Sequence, residues 1–126
     1  INKIFLLLYT KGRKSGKRRI TPLEYRTKDG VINVGAARGK KAHWFRNLLA
    51  NPDEVMIKTG FRKFKASFTI LENIKEKNEY FIWYVDNFPT AAKFLFGWDP
   101  KTDDLKNSDF TSFSELVEVV QFYPKE

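Results

Sequence analysis

Between Lys11 and Arg19 the chain places six Lys or Arg among nine residues, with no acid, and Gly12 and Gly16 punctuate the run. Residue types at this spacing suit the holding of an anion. Glycine permits positive φ and close backbone approach. Successive backbone N–H groups in such a turn can form an anion-binding nest, and arginine adds a planar fork that meets phosphate oxygens two at a time. A charge run without context also describes a solvated hairpin loop. A second small and basic stretch runs from Gly35 through Ala36, Ala37, Arg38 and Gly39 to Lys41. Its small side chains would let a flat ligand lie close, or would equally fill a tight packing spot.

The charge is uneven. Residues 1–46 carry thirteen Lys or Arg against two acids, whereas residues 47–126 carry ten against thirteen. The net charge of +8 therefore belongs to the first part of the chain, which points to an anionic partner at a site more than to general solubility. There is no cysteine, so no disulfide framework and no thiolate metal site is expected. One His and unclustered carboxylates do not make a zinc site. No Ser-His-Asp or Cys-His arrangement stands out, so chemistry by a side-chain nucleophile is not expected.

These residues need elements to position them. At 126 residues and 42% hydrophobic, with twelve Phe, the chain is expected to form one domain over residues 1–126. No apolar run approaches the roughly 20 residues of a membrane-spanning helix. No signal peptide is visible, and a cytoplasmic protein is expected. The chain opens at Ile1 rather than Met, so a preceding piece can be missing.

Lys3 to Tyr9 reads as a buried strand leading into the basic loop. Ile20 to Thr27 reads as the next strand, with Pro22 marking an edge or a bulge. Lys28-Asp29-Gly30 signals a hairpin turn into a strand over Val31–Ala36. Ala42 to Ala50 reads as a short helix with Trp44, Phe45, Leu48 and Leu49 on one face and His43, Arg46 and Asn47 off it. Asn51-Pro52 ends it. Val55–Thr59 is a further strand. Phe61–Leu71 alternates strictly, placing Phe64, Ala66, Phe68 and Ile70 on the core side. Lys75–Phe88 reads as an amphipathic helix with an aromatic stripe, Pro89 breaks it, and Thr90–Phe96 continues as a second short helix. Gly97–Ser112 reads as a surface loop, and Leu116–Phe122 as a closing strand stopped by Pro124. The sum is a mainly β chain: a small antiparallel barrel of about six strands with two or three helices.

Three blocks carry a resemblance: Thr10 to Leu23, Gly35 to Lys41, and Trp44 to Pro52. In order and spacing they resemble the deazaflavin (coenzyme F420)-dependent nitroreductase family, over roughly residues 4–90. The resemblance implies a split β-barrel of the FMN-binding type. It implies an F420-dependent reductase that passes a hydride from the reduced cofactor to a small organic acceptor of quinone, nitro or enone type. By position, Lys14, Ser15 and Arg19, within the turn that includes Arg13 and Gly16, would hold the phosphate side. Thr21, Pro22 and Leu23 would run beside the ring. Ala36, Ala37, Arg38 and Gly39, with Lys41, would supply opposing backbone and phosphate contacts, and His43, Trp44 and Asn47 would close the tail and ring side. Tyr84 is the candidate proton donor.

The charge of the first part agrees with a cofactor that bears a phosphodiester and glutamates, because it would raise the on-rate of such a ligand. In such a reaction the cofactor carries the hard chemistry and the protein orients it. The chain departs from the family at Glu24, where an aromatic residue is common, and at Ala91 and Phe94, where tyrosines are common. Those differences bear on the acceptor rather than on the cofactor site. Two other readings stay open from the residues: the same fold using FMN, as a reductase or a flavin-binding protein, and a basic barrel holding single-stranded nucleic acid. Split barrels of this kind often pair, so a homodimer is expected alongside the small-molecule acceptor; no nucleic acid and no membrane span are.

Overall fold

The computed structural model describes residues 5–125. The strand expected from Lys3 therefore begins outside the described residues. The chain divides into two compact units, one running to Ile70 and resuming at Val117, the other spanning Leu71–Leu116.

The first unit is a seven-stranded antiparallel sheet among the described residues, with one short α-helix. Its strands are β1 (Phe5–Lys11), β2 (Arg18–Glu24), β3 (Arg26–Lys28), β4 (Val31–Ala36), β5 (Met56–Thr59), β6 (Arg62–Ile70) and β7 (Glu118–Pro124). They lie in the order β2-β1-β5-β6-β7-β4-β3. The two outermost strands, β2 and β3, are separated in sequence by Tyr25 alone. One bent segment therefore supplies both margins of the sheet, which makes this a split barrel. The division falls on β6: Arg62–Lys65 pair with β5, and Ala66–Ile70 pair with β7.

Seven strands among the described residues agree with the expected barrel of about six, the added one arising within one segment. The segment Ile20–Thr27 is two strands, because the bend at Tyr25 sends its halves to opposite margins. Pro22 fits β2 because an edge strand has one side free of ladder bonds. The hairpin at Asp29-Gly30 holds both residues at positive φ, 52° and 79°, which matches the twist of the strands it joins. The closing strand starts at Glu118 and ends at Pro124, as expected of a residue that stops it.

Helix α1 (His43–Ala50) follows a 3₁₀ turn at Gly39–Lys41, and Arg46 Nε fastens the two by donating to the Lys40 carbonyl at 3.0 Å. Alternation on β1 and β6 puts Leu6, Leu8 and Ala66 into one apolar cluster with Ile57, Val120 and Phe122. Trp44, Phe45 and Leu48 of α1 join that cluster. Each fully buried large side chain there contributes roughly 1.5–3 kcal/mol through area removed from water. Phe64, Phe68 and Ile70 pack against it as the strict alternation of β6 requires. On α1 the expected faces are exchanged at two positions: Asn47 is buried and Leu49 is 49% exposed.

The second unit contains α2 (Ile74–Asn87), α3 (Pro89–Phe96) and α4 (Thr111–Leu116). Asn73 caps α2, its Oδ1 accepting from Lys75 N and Glu76 N. Pro89 opens α3 rather than merely ending α2. Phe81, Phe96 and Phe113 form a ring cluster with centroids 4.5 to 6.1 Å apart. The stretch expected as a loop, Gly97–Ser112, holds a 3₁₀ turn at Leu105–Asn107 and the start of α4. Aspartates start both: Asp104 Oδ1 accepts from Lys106 N and Asp109 Oδ1 from Thr111 N. The Thr111 side chain first, and its backbone N–H second, hydrogen-bond the Asp109 carboxylate and lower its pKa from the usual carboxylate value. No described helix is long and apolar enough to cross a membrane.

Candidate functional site

The basic turn is the connection between β1 and β2, closed by the pair Lys11 and Arg18. Gly12 N donates to the Lys17 carbonyl (2.8 Å) and Gly16 N to the Gly12 carbonyl (2.9 Å). Gly16 sits at φ 69°, in the left-handed region where a Cβ costs energy. Gly12 is required for space instead: a Cβ there would lie 2.7 Å from Ser15 Oγ and 3.2 Å from the Lys17 carbonyl oxygen. Ser15 Oγ in turn accepts from Lys17 N (3.2 Å). The two glycines thus fold the turn back on itself and send its cations outward.

Helix α1 holds this turn from the side. Asn47 Oδ1 accepts from both the backbone N (3.2 Å) and Nη1 (2.7 Å) of Arg13. Arg13 Nη2 lies 3.2 Å from His43 Nδ1, and Nη1 lies 3.5 Å from the His43 carbonyl oxygen. Asn51 Nδ2 also donates to the Lys11 carbonyl (3.4 Å). Two segments more than thirty residues apart are therefore fixed against each other mainly through one arginine.

Between turn, β2 and helix lies a groove of about 440 Å³. Its walls bring together eight of the expected site residues: Arg13, Lys14, Ser15, Arg19, Thr21, His43, Trp44 and Asn47. Gly12 and Ile20 line it too and were not among the expected residues. Gly12 could have been found from its place in the glycine-punctuated run. Ile20, an apolar residue in the strand expected over Ile20–Thr27, is 52% exposed on the margin of the sheet. The groove is cationic at the turn, through Lys14 and Arg19, and apolar where Ile20 and Trp44 stand. Lys14 and Arg19 are exposed, and neither has a hydrogen-bond or ion-pair partner among the described residues.

The remaining expected residues lie elsewhere. Gly16 lines a second groove of about 380 Å³, beside Lys11 and Arg18. Pro22 and Leu23 continue along β2, beyond the residues that line the first groove. Ala36 is buried in the apolar cluster, while Ala37, Arg38 and Lys41 are exposed and Gly39 is buried in the 3₁₀ turn. Tyr84 belongs to the helical unit, buried with its ring 6.4, 5.4 and 5.5 Å from those of Tyr80, Phe88 and Phe96.

A family model described as F420H(2)-dependent quinone reductase matches residues 2–99. Over 51 residues the chain is 47% identical to a Mycobacterium tuberculosis protein, Rv3178, whose name gives it as an F420H(2)-dependent quinone reductase. That match covers 38% of this chain and 43% of the relative, less than half of its length. A solved structure named as an F420-H2 dependent reductase (FDR-A) is similar at 25% identity and a TM-score of 0.61, covering 98% of this chain and 96% of that one. A second, named as a domain-swapped dimer, is similar at 25% identity and a TM-score of 0.61, over 98% of this chain and 82% of that one. Rv2991 of Mycobacterium tuberculosis shares the fold at 17% identity and a TM-score of 0.64, over 97% of this chain and 73% of that one.

Proposed function

The chain belongs to the F420H(2)-dependent quinone reductase family, and from that premise we propose that it reduces a quinone-type acceptor with coenzyme F420, bound in the groove between the basic turn and α1. The observation that carries the reading is the pair Lys14 and Arg19. Both are cationic, exposed and without a protein partner among the described residues, and both line the same groove as the apolar Ile20 and Trp44. That donor set fits a ligand with an anionic tail and a flat ring. Lys14, Arg19 and the Ser15 hydroxyl would hold phosphate oxygens, and Ile20, Thr21 and Trp44 would lie along the ring.

When bound, reduced F420 supplies the hydride, and the acceptor takes it together with one proton to become the quinol. The chain's own residues bind and orient, so that ring and acceptor meet in one geometry. The exposed turn leaves water at hand as a source of the proton. The family match supports the quinone as the acceptor; Glu24, where an aromatic residue is common in nitroreductase members, pairs with Arg26 at 2.6 Å.

Titration of the purified protein with F420 and with FMN, followed by ring fluorescence, tests the reading, together with turnover of a soluble quinone by reduced F420. Tight FMN binding with no response to F420 would replace it with a flavin-dependent one. We also propose that two copies pair. A similar structure is named as a domain-swapped dimer, and Phe61 projects fully exposed from the turn between β5 and β6. Sedimentation equilibrium giving a monomer at micromolar concentration would overturn the pairing.

A further inference from the structure

We infer that Asn47 is a charge-sparing positioning residue: its neutral amide anchors Arg13, and so the basic turn, without cancelling the positive charge the turn presents to its ligand. The inference rests on the reading of the groove as an anion site and goes beyond it. It concerns a residue that lines the groove but turns its Oδ1 to Arg13 and acts on the turn through it.

Arg13 is half-buried, and its guanidinium is always charged. A carboxylate is a strong partner for a guanidinium, frequently in a two-pronged ion pair. Here the acceptors are Asn47 Oδ1, at 2.7 Å, with the imidazole and carbonyl of His43 at 3.2 and 3.5 Å. All are formally uncharged when the imidazole is neutral. Asn47 is itself 6% exposed, so its carbonyl would be costly to leave without a partner. The same oxygen takes the Arg13 backbone N–H, which fixes the main chain immediately before Lys14 and Ser15. No acidic side chain pairs with Arg13, Lys14, Lys17, Arg18 or Arg19 among the described residues. Rigidity of the turn and its full positive potential are thus obtained together. A carboxylate at position 47 would give the first and remove part of the second.

Asn47→Asp separates the two roles, because Asp keeps the accepting oxygen and adds a charge. The probe is F420 itself, titrated into wild type, Asn47→Asp, Asn47→Ala and Lys14→Ala at low and high salt, beside thermal unfolding of each. Asn47→Asp is expected to melt at or above the wild-type temperature. It should bind F420 roughly tenfold more weakly at low salt, the scale of one added unit charge several ångströms away at an intermediate dielectric. Its affinity should also depend less steeply on salt, which a purely structural role would not alter. Asn47→Ala should lose both stability and affinity. Wild-type affinity in Asn47→Asp, or a melting temperature below wild type, overturns the inference, while a weakened Lys14→Ala keeps the groove reading intact. If Lys14→Ala also binds as wild type does, the groove reading itself falls.

Discussion

A methyl group on Gly12 would stand 2.7 Å from the hydroxyl oxygen of Ser15 and 3.2 Å from the carbonyl of Lys17. The serine can swing away only by giving up the bond that its Oγ accepts from Lys17 N, and the carbonyl cannot move without unpicking the turn. Gly12→Ala is therefore expected to destabilise the protein by about 1–3 kcal/mol, the range for overpacking a filled site. It should also weaken F420 binding beyond what the Ser15→Ala change does. Chemical denaturation and ring fluorescence measure the two effects.

Lys14→Ala and Arg19→Ala remove cations that have no hydrogen-bond or ion-pair partner among the described residues. Each should cost about 1.5–3 kcal/mol of F420 affinity, the range for hydrogen bonds to charged groups. Their unfolding midpoints should stay near wild type. Affinity equal to wild type in both variants would remove the turn from the binding site.

Leu48 is fully buried on the face of α1 that joins the barrel cluster. Leu48→Ala should lower stability by about 2–5 kcal/mol, as large-to-small core changes do. Because α1 also carries Asn47, F420 affinity should fall in the same variant, and less so when the protein is held at low temperature. A variant with normal stability would show that the helix is not docked as described.

Asp109 offers a pH prediction. Its carboxyl is held below the usual range by the Thr111 side chain first and the Thr111 backbone second. A group whose folded pKa is depressed stabilises the fold above its unfolded pKa and loses that contribution as pH falls through the folded one. The start of α4 should therefore be fully supported at neutral pH and should loosen only below about pH 4, near the free carboxyl's own range. Asp109→Asn should abolish that acid-dependent step. Amide exchange at Thr111 to Ser114, compared between pH 3 and pH 6, reads it directly.

Much of the barrel and the site was legible in the chain itself, because local signals and the final packing agree there. The alternation of Phe64, Ala66, Phe68 and Ile70, the Asp29-Gly30 hairpin and the glycine-spaced cations each describe their own neighbourhood. Asn47 and Leu49 were misassigned for the opposite reason. A helical wheel turns a polar residue outward, but Asn47 is buried because Arg13, 34 residues away, comes to satisfy it. The place of Ile20 in the groove wall was not legible either: whether a strand's apolar residue faces core or solvent depends on its place at the sheet margin, which is a property of topology. Helix α4 was missed because six residues give too short a period to see. Its buried Ser114 makes sense only beside α2, where Ser114 Oγ donates to Asn78 Oδ1.

The margin formed by β2 has a consequence for solubility. A strand with an unpaired side is a template on which another chain can zip, and proteins guard such borders with lysine, arginine and proline. Arg18, Arg19 and the donor-less Pro22 stand along that border. The side chains suited to gripping a cofactor are thus also sentries against fibrous self-association. Neutralising them should make the apoprotein clump on storage, and saturating F420 should slow that clumping in the wild type by covering the border.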